Sequence, residues 1–288
     1  MLTQLGLIFM RAVARLPLAW VRAMGSALGL VLFVFAVSRR RVTFTNLSLC
    51  FPHQTKSQRR QVAIQSFIHF AQAWLDRSWL WHGDPQETRK RLRLTGALEQ
   101  LEGVQPVVLF APHFVGMDAG WSALNQQFAR AFTSIYTRQR NPAINQWINQ
   151  GRRRFGKPQL FERREGATAI VTSLRNGQAL YLLPDMNFGP QESVFVPFYG
   201  VATATLTSLS RFARLGRAKV VPVLTRMTHE GYEIQVLPAW LAFPGADLLA
   251  DATLMNQRLQ TYIDAMPAQY YWVHRRFKSR PVGEPSVY

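Results

Sequence analysis

The spacing of apolar residues changes character along the chain. Between Ala23 and Val37 lies an unbroken apolar run, AMGSALGLVLFVFAV. As a helix it would extend about 22 Å at roughly 1.5 Å per residue, against a hydrocarbon core roughly 30 Å thick. Upstream residues can lengthen it if Arg22 snorkels its guanidinium to the interface. The expectation is a membrane anchor over residues 1–41, spanning or steeply embedded. One globular domain, residues 42–288, should follow, since no internal repeat or low-complexity linker interrupts the chain. Next comes a helical pattern from Ser57 to Trp79, with Ser57 as its cap and Phe67, Ala71, Trp74, Leu75 and Trp79 among its apolar stripe. Trp74, Trp79 and Trp81 suit either a core or a lipid interface.

From Val107 onward, short β-rich runs alternate with helical ones. The runs at 107–111, 132–136, 179–183, 219–225 and 232–237 read as strands, and 119–130, 143–155, 167–176, 203–215 and 254–266 as helices. Such alternation predicts an α/β domain with a mostly parallel central sheet flanked by helices. Ligands in these sheets bind beyond the carboxyl ends of the strands. The segments APHFVGMD, YTRQRNP and LLPDMNFG therefore share one rim.

Charge sharpens the amino-terminal reading. Lys plus Arg is 34 against 16 acids, a net +18, and no Asp or Glu precedes Asp76. The excess is almost all Arg, whose planar fork suits phosphate. The balance calls for a polyanionic partner: nucleic acid, an anionic membrane surface or a phosphorylated substrate. The cluster Arg39-Arg40-Arg41 just after the apolar run marks that side as cytoplasmic. A removed signal peptide is disfavoured, because no small-residue cleavage site precedes an acidic or polar start. A single Cys50 excludes a disulfide framework and a Cys-based zinc site, and no metal or cofactor is expected. Near the carboxyl end, YYWVHRRFKSR mixes aromatics with Arg275, Arg276, Lys278 and Arg280. That mixture suits RNA or anionic headgroups; the apolar anchor selects the membrane, and nucleic acid is not expected.

The candidate chemistry sits on the first rim segment, where a buried strand runs into a Pro-marked turn, then His113 and Asp118. On a turn entering a helix, Asp118 could fix the tautomer of His113 and leave the other ring nitrogen as a general base. No G-x-S-x-G elbow, H-E-x-x-H, P-loop or G-x-G-x-x-G occurs. A substrate hydroxyl is then the nucleophile, attacking an activated acyl group. Two rival readings stay open. One is acyl transfer to another acceptor, such as a lysophospholipid or an amino-acid lipid. The other is a non-catalytic, basic, membrane-anchored binding protein.

APHFVGMD, YTRQRNP, PDMNFGPQESVFVPFYGV and QYYWVHRRFKSRP, in this order, with NLSLCFP after the anchor, resemble the late acyltransferases of lipid A biosynthesis. The likeness covers nearly the whole chain. It implies a glycerolipid-acyltransferase-like fold at the cytoplasmic face of the bacterial inner membrane, in contact with anionic lipids, and no metal. It implies transfer of a fatty acyl chain from acyl carrier protein to a hydroxyacyl hydroxyl of a Kdo-bearing, phosphorylated lipid A precursor. By this resemblance His113 is the general base and Asp118 its partner, at a position where many members carry Glu. The family often has Arg where Thr137 stands, so Arg138 or Arg140 is the nearest candidate for substrate phosphate or sugar. Arg163 and Asp185 match family positions and complete the expected substrate-binding set.

Overall fold

The computed structural model describes residues 2–288, the side chains of Leu2 and Arg164 excepted. Helix α1 (Leu2–Val13) ends ahead of Pro17, which carries no N–H to continue it. Helix α2 (Leu18–Phe35) holds most of the apolar run, and the arginine cluster opens a further helix, α3 (Val37–Cys50). Helix α4 (Lys56–His82) starts one residue earlier and ends three later than expected. Its cap is Thr55, which accepts from Gln58 N while the Gln58 side chain accepts from Thr55 N. Trp79 and Trp81 are buried, whereas Trp74 keeps 38% of its surface exposed. Arg22 departs from the snorkelling expectation. It turns inward and pairs with Asp76 of α4 at 3.0 Å, because a buried carboxylate draws a guanidinium more strongly than water at that depth does.

Short helix α5 (Pro85–Lys90) leads into β1 (Leu92–Gly96) and β2 (Val107–Phe110). There follow α6 (Met117–Gln127), β3 (Phe132–Tyr136), α7 (Pro142–Arg152), β4 (Gln159–Glu162), α8 (Ala167–Arg175) and β5 (Ala179–Leu182). After β6 (Ser193–Phe198) and β7 (Val201–Leu206) the chain forms α9 (Ser208–Gly216), β8 (Lys219–Thr228), β9 (Gly231–Val236) and α10 (Leu248–Ala265). Seven strands make one sheet in the order β1-β9-β8-β2-β5-β3-β4. Every neighbouring pair is parallel except the β8–β9 hairpin. The α/β class with a mostly parallel sheet is therefore observed.

The central strands β2 (VVLF) and β5 (ALYL) are buried on both faces, which is why they read as continuous apolar runs. Side chains alternate across the sheet. Leu109 and Tyr181 join one core with Trp79 and Trp121, while Phe110 and Leu182 join the other with Phe212 and Leu259. One expected helix, 203–215, is strand at its start. Residues 203–206 belong to β7, which pairs with β6 in a separate antiparallel ribbon, and α9 begins only at Ser208. The stretch VATATL alternates with a period of two and carries β-branched residues, so it extends rather than coils.

The carboxyl-terminal segment also departs from the headgroup-binding expectation. Arg276 is buried and donates to Ala204 O at 2.7 Å, and Arg280 donates to Ala202 O at 2.6 Å. These two arginines tie the tail to β7, and Arg275 and Lys278 face outward.

Candidate active site

Strands β2 and β5 run side by side in parallel, with Phe110 opposite Leu182. Three residues further along each strand stand His113 and Asp185, 72 residues apart, which is the same offset as the ladder. The ladder's register thus delivers the two side chains to each other. His113 Nδ1 lies 2.7 Å from Asp185 Oδ1, and the backbone N–H of His113 donates to Asp185 Oδ2 at 3.0 Å. The hydroxyl of Tyr270 donates to the same oxygen at 3.1 Å. Asp185 is completely buried. Burial pushes its pKa up, but the imidazole of His113 and the donated hydrogen bonds outweigh it and hold the carboxyl below the usual range. A carboxylate on Nδ1 puts the proton there and leaves Nε2 as an acceptor. Nε2 has no protein partner among the described residues, and the ring faces a cavity of about 620 Å³.

Asp118 sits in the first turn of α6 and is also buried. Its partners are not the expected one. Arg77 of α4 donates through Nε to Oδ2 at 2.8 Å, and Arg152 at the end of α7 donates through Nε to Oδ1 at 2.9 Å. A second nitrogen of Arg77 lies 2.8 Å from Oδ2, making that contact two-pronged. Burial raises the Asp118 pKa, yet Arg152 and Arg77 outweigh it and bring it down to about 2. The expected His113–Asp118 pairing is therefore corrected. Two charge-assisted contacts satisfy both oxygens of Asp118. Meanwhile the turn between the two residues is pinned to the carboxyl-terminal segment through the Phe114–Tyr270 bridge and the bond from Val115 N to Gln269 O.

The remaining expected residues divide. Asp185 is no substrate contact: it is fully buried and committed to His113 and Tyr270. Arg138 and Arg140 are exposed on the loop after β3, off the cavity wall, where Thr137 and Gln139 stand instead. Arg163 does line the cavity. It stacks over the Phe188 ring with 4.0 Å to the centroid and pairs with Glu192 at 3.0 Å, both of which also line the cavity. Sequence reading missed Arg77 and Arg152, which lie 41 and 34 residues from Asp118, and also Arg211 on the cavity wall. Nothing local in the chain marks them.

The cavity's lining mixes apolar side chains, Ile135, Leu160, Ile170, Leu182, Phe212 and Leu215, with polar ones, His113, Asp118, Arg152, Arg163, Glu192 and Arg211. His274, close to His113, is lowered to about 4 by burial and by the neighbouring charges of His113 and Arg276, so it is neutral at pH 7. It accepts from Asn187 N at 3.2 Å, a structural use. Among the described residues no group of three or more His, Cys, Asp or Glu could hold a metal ion.

Residues 1–279 match the family model of the bacterial lipid A biosynthesis acyltransferases. The chain belongs to that family. The acyltransferase is 30% identical to the lipid A biosynthesis lauroyltransferase of Escherichia coli K12, over 100% of this chain and 94% of that protein. It is 31% identical to the lipid A biosynthesis myristoyltransferase of the same organism, over 87% of this chain and 79% of the relative. A lipid A biosynthesis acyltransferase of Haemophilus influenzae is 31% identical over 97% of this chain and 88% of its own length. Among solved structures, the 1-acyl-sn-glycerophosphate acyltransferase of Thermotoga maritima has a TM-score of 0.38 at 11% identity, covering 81% of this chain and 95% of that one, too distant to carry an argument. The acyltransferase's cavity is lined by apolar and basic side chains together with His113.

Proposed function

We propose that the acyltransferase moves a fatty acyl chain from an acyl carrier protein thioester to a hydroxyl on an acyl chain of a Kdo-bearing, phosphorylated lipid A precursor, with His113 as general base. The observation that carries this reading is the free Nε2 of His113 on the cavity wall, with the ring's other nitrogen bound to Asp185. In the first step Nε2 takes the acceptor hydroxyl proton as the oxygen attacks the thioester carbonyl. A C–O bond forms, and the tetrahedral oxyanion draws on N–H donors at the rim. The terminal nitrogens of Arg152 have no protein partner among the described residues, so they are available for that charge or for a phosphate. The C–S bond then breaks, and the imidazolium returns its proton to the departing thiolate. Asp185 stabilises the imidazolium without itself being protonated, in the manner of an orienting carboxylate.

Asp118 takes a different part in this reading. Held ionised by two guanidiniums, it aims Arg152 at the cavity rather than acting on His113. The cavity's apolar side chains receive the acyl chain, and Arg163 and Arg211 meet the acceptor's phosphates or sugars. The basic surface would also draw an acidic carrier protein.

The test uses purified full-length protein, acyl-loaded acyl carrier protein and a Kdo-bearing lipid A precursor. Transfer should be read by mass spectrometry and should be lost in His113→Ala with the fold intact. Full transfer by that variant would overturn the base assignment. An unchanged lipid A acyl number in cells lacking the gene would overturn the acceptor assignment and favour a lysophospholipid or amino-acid lipid.

A further inference from the structure

The apolar run has a neighbour that a membrane-spanning helix would not keep. Helix α2 packs antiparallel against α4 along its length: Arg22 on Asp76 at 3.0 Å, Gly25 on Gln72, Gly29 on Ile68, and Phe33 on Phe67 with ring centroids 5.6 Å apart. The contact is backbone-close. A Cβ on Gly25 would fall 2.7 Å from Gln72 Cα, and one on Gly29 would fall 2.5 Å from Ile68 Cα. Helix α4 in turn buries Leu75 and Trp79 in the sheet's core and holds Asp118 through Arg77. If α2 crossed the bilayer in this packing, α4 would enter hydrocarbon beside it, with Gln72, Asp76 and Arg77 and the sheet behind. Charged and polar groups at that depth are strongly disfavoured.

The opposite face of the same helices is bare. Leu5, Ile8 and Phe9 on α1 and Trp20, Val31 and Phe35 on α2 are exposed, Trp20 by 67% and Phe35 by 77%. Arg11 and Arg15 lie between the α1 and α2 parts of this strip, and Arg39 and Arg41 follow the end of α2, all four exposed, in a stretch of chain without a single acid. An apolar strip bordered by arginines complements the acyl region and anionic headgroups of one leaflet. Helix α4 adds Trp74 on its exposed side, 5.9 Å from Trp147 of α7 and stacked on Arg77.

We propose that α1 and α2 lie in the plane of a single leaflet, both ends of α2 on the side of the catalytic domain, and that this seats the Asp118 end of the cavity against the bilayer. The proposal rests on the membrane reading made above, and it replaces a spanning anchor by an in-plane one. It gives a lipid-borne acceptor a route that passes Trp74 to the cavity without leaving the interface.

Cys50 is buried and is the only cysteine, so introduced thiols report cleanly. Arg15→Cys and Ser38→Cys place one at each end of α2, both at exposed positions. The full chain is expressed in a bacterium and treated with a membrane-impermeant maleimide, in inside-out vesicles and in intact spheroplasts. Both thiols should react in inside-out vesicles and neither in spheroplasts. Labelling of the two from opposite faces, with the protein still in the membrane fraction, overturns the in-plane arrangement and leaves the membrane reading standing. A protein that stays in the supernatant and fails to float with anionic vesicles overturns both. A detergent-free dimer that shields both thiols would show that a second copy, not lipid, covers the strip, and this too overturns the proposal.

Discussion

Two buried carboxylates, Asp118 in the cavity wall and Asp185 behind His113, are kept ionised by different means. Asp185 leaves the end of a strand and is held by an imidazole, a backbone N–H and a tyrosine hydroxyl. Asp118 opens a helix and is held by two guanidiniums from two other helices. The first arrangement tunes a group that can gain and lose a proton. The second makes a fixed charge pair that cannot take part in proton transfer near neutral pH. In the proposed mechanism, acid–base chemistry therefore belongs to the strand ends, and charge placement to the helix cluster.

The largest effect should come from the strand-end pair. His113→Ala is expected to lower acyl transfer by roughly 10³-fold or more while leaving the unfolding midpoint close to that of the parent. Asp185→Asn keeps the shape but offers an amide where a carboxylate stood, so the ring can settle in the wrong tautomer. A fall of roughly 10²–10³-fold in kcat at a nearly unchanged KM is the expected signature. A comparable KM change without a kcat change would return Asp185 to the substrate-binding role.

The helix cluster should answer in stability as much as in rate. Removing one guanidinium in Arg77→Met leaves Asp118 with one partner. The expected cost is on the order of 1–3 kcal/mol in denaturant unfolding, below the usual range for breaking a buried pair because Arg152 remains and both arginines are partly solvated. Arg77→Lys should recover only part of it, since an ammonium cannot make the two-pronged contact. Equal stability of Arg77→Met and parent would show that the pair contributes nothing net.

The cluster also sets an acid limit. Because the folded pKa of Asp118 is depressed to about 2, its contribution is present above the unfolded value, near 4. It is lost as pH falls from there through about 2. At most it amounts to on the order of 2 kcal/mol. Unfolding midpoints of parent and Asp118→Asn should differ at pH 6 and converge towards pH 2; a constant gap would place the cost elsewhere. The smallest effect belongs to the exposed loop. Arg138→Ala and Arg140→Ala should each change KM by no more than roughly threefold, while Arg163→Ala on the cavity wall should exceed both. A reversal would mean that the loop moves onto the acceptor.

Much of the frame was legible from the chain. The runs VVLF and ALYL announce strands buried on both faces, because only a sheet covered on both sides leaves no polar alternation. Position at a strand end singled out His113 and placed the Asp185 segment on the same rim. The partner of His113 was misread because Asp118 lies five residues away, while Asp185 is near only through the ladder. Arg77 and Arg152 carried no signal, since a guanidinium on a helix usually reads as solvated charge and nothing in the chain says which helix faces which. The edge strand β4 was missed because four residues are too few for a period to stand out, and β7 because its last residues run straight into the helical pattern of α9.

By itself, then, the sequence determined the class of fold, the rim formed by the strand ends, the basic character of the chain and the apolar surface at the amino end. These depend on local periodicity and on composition, which act over a few residues. The tertiary structure alone decided which carboxylate serves the imidazole, which arginines hold the other, and that α2 lies along α4 instead of standing free. Those outcomes depend on register between strands and on close approach of helices far apart in the chain, and such distances are set only when the core closes.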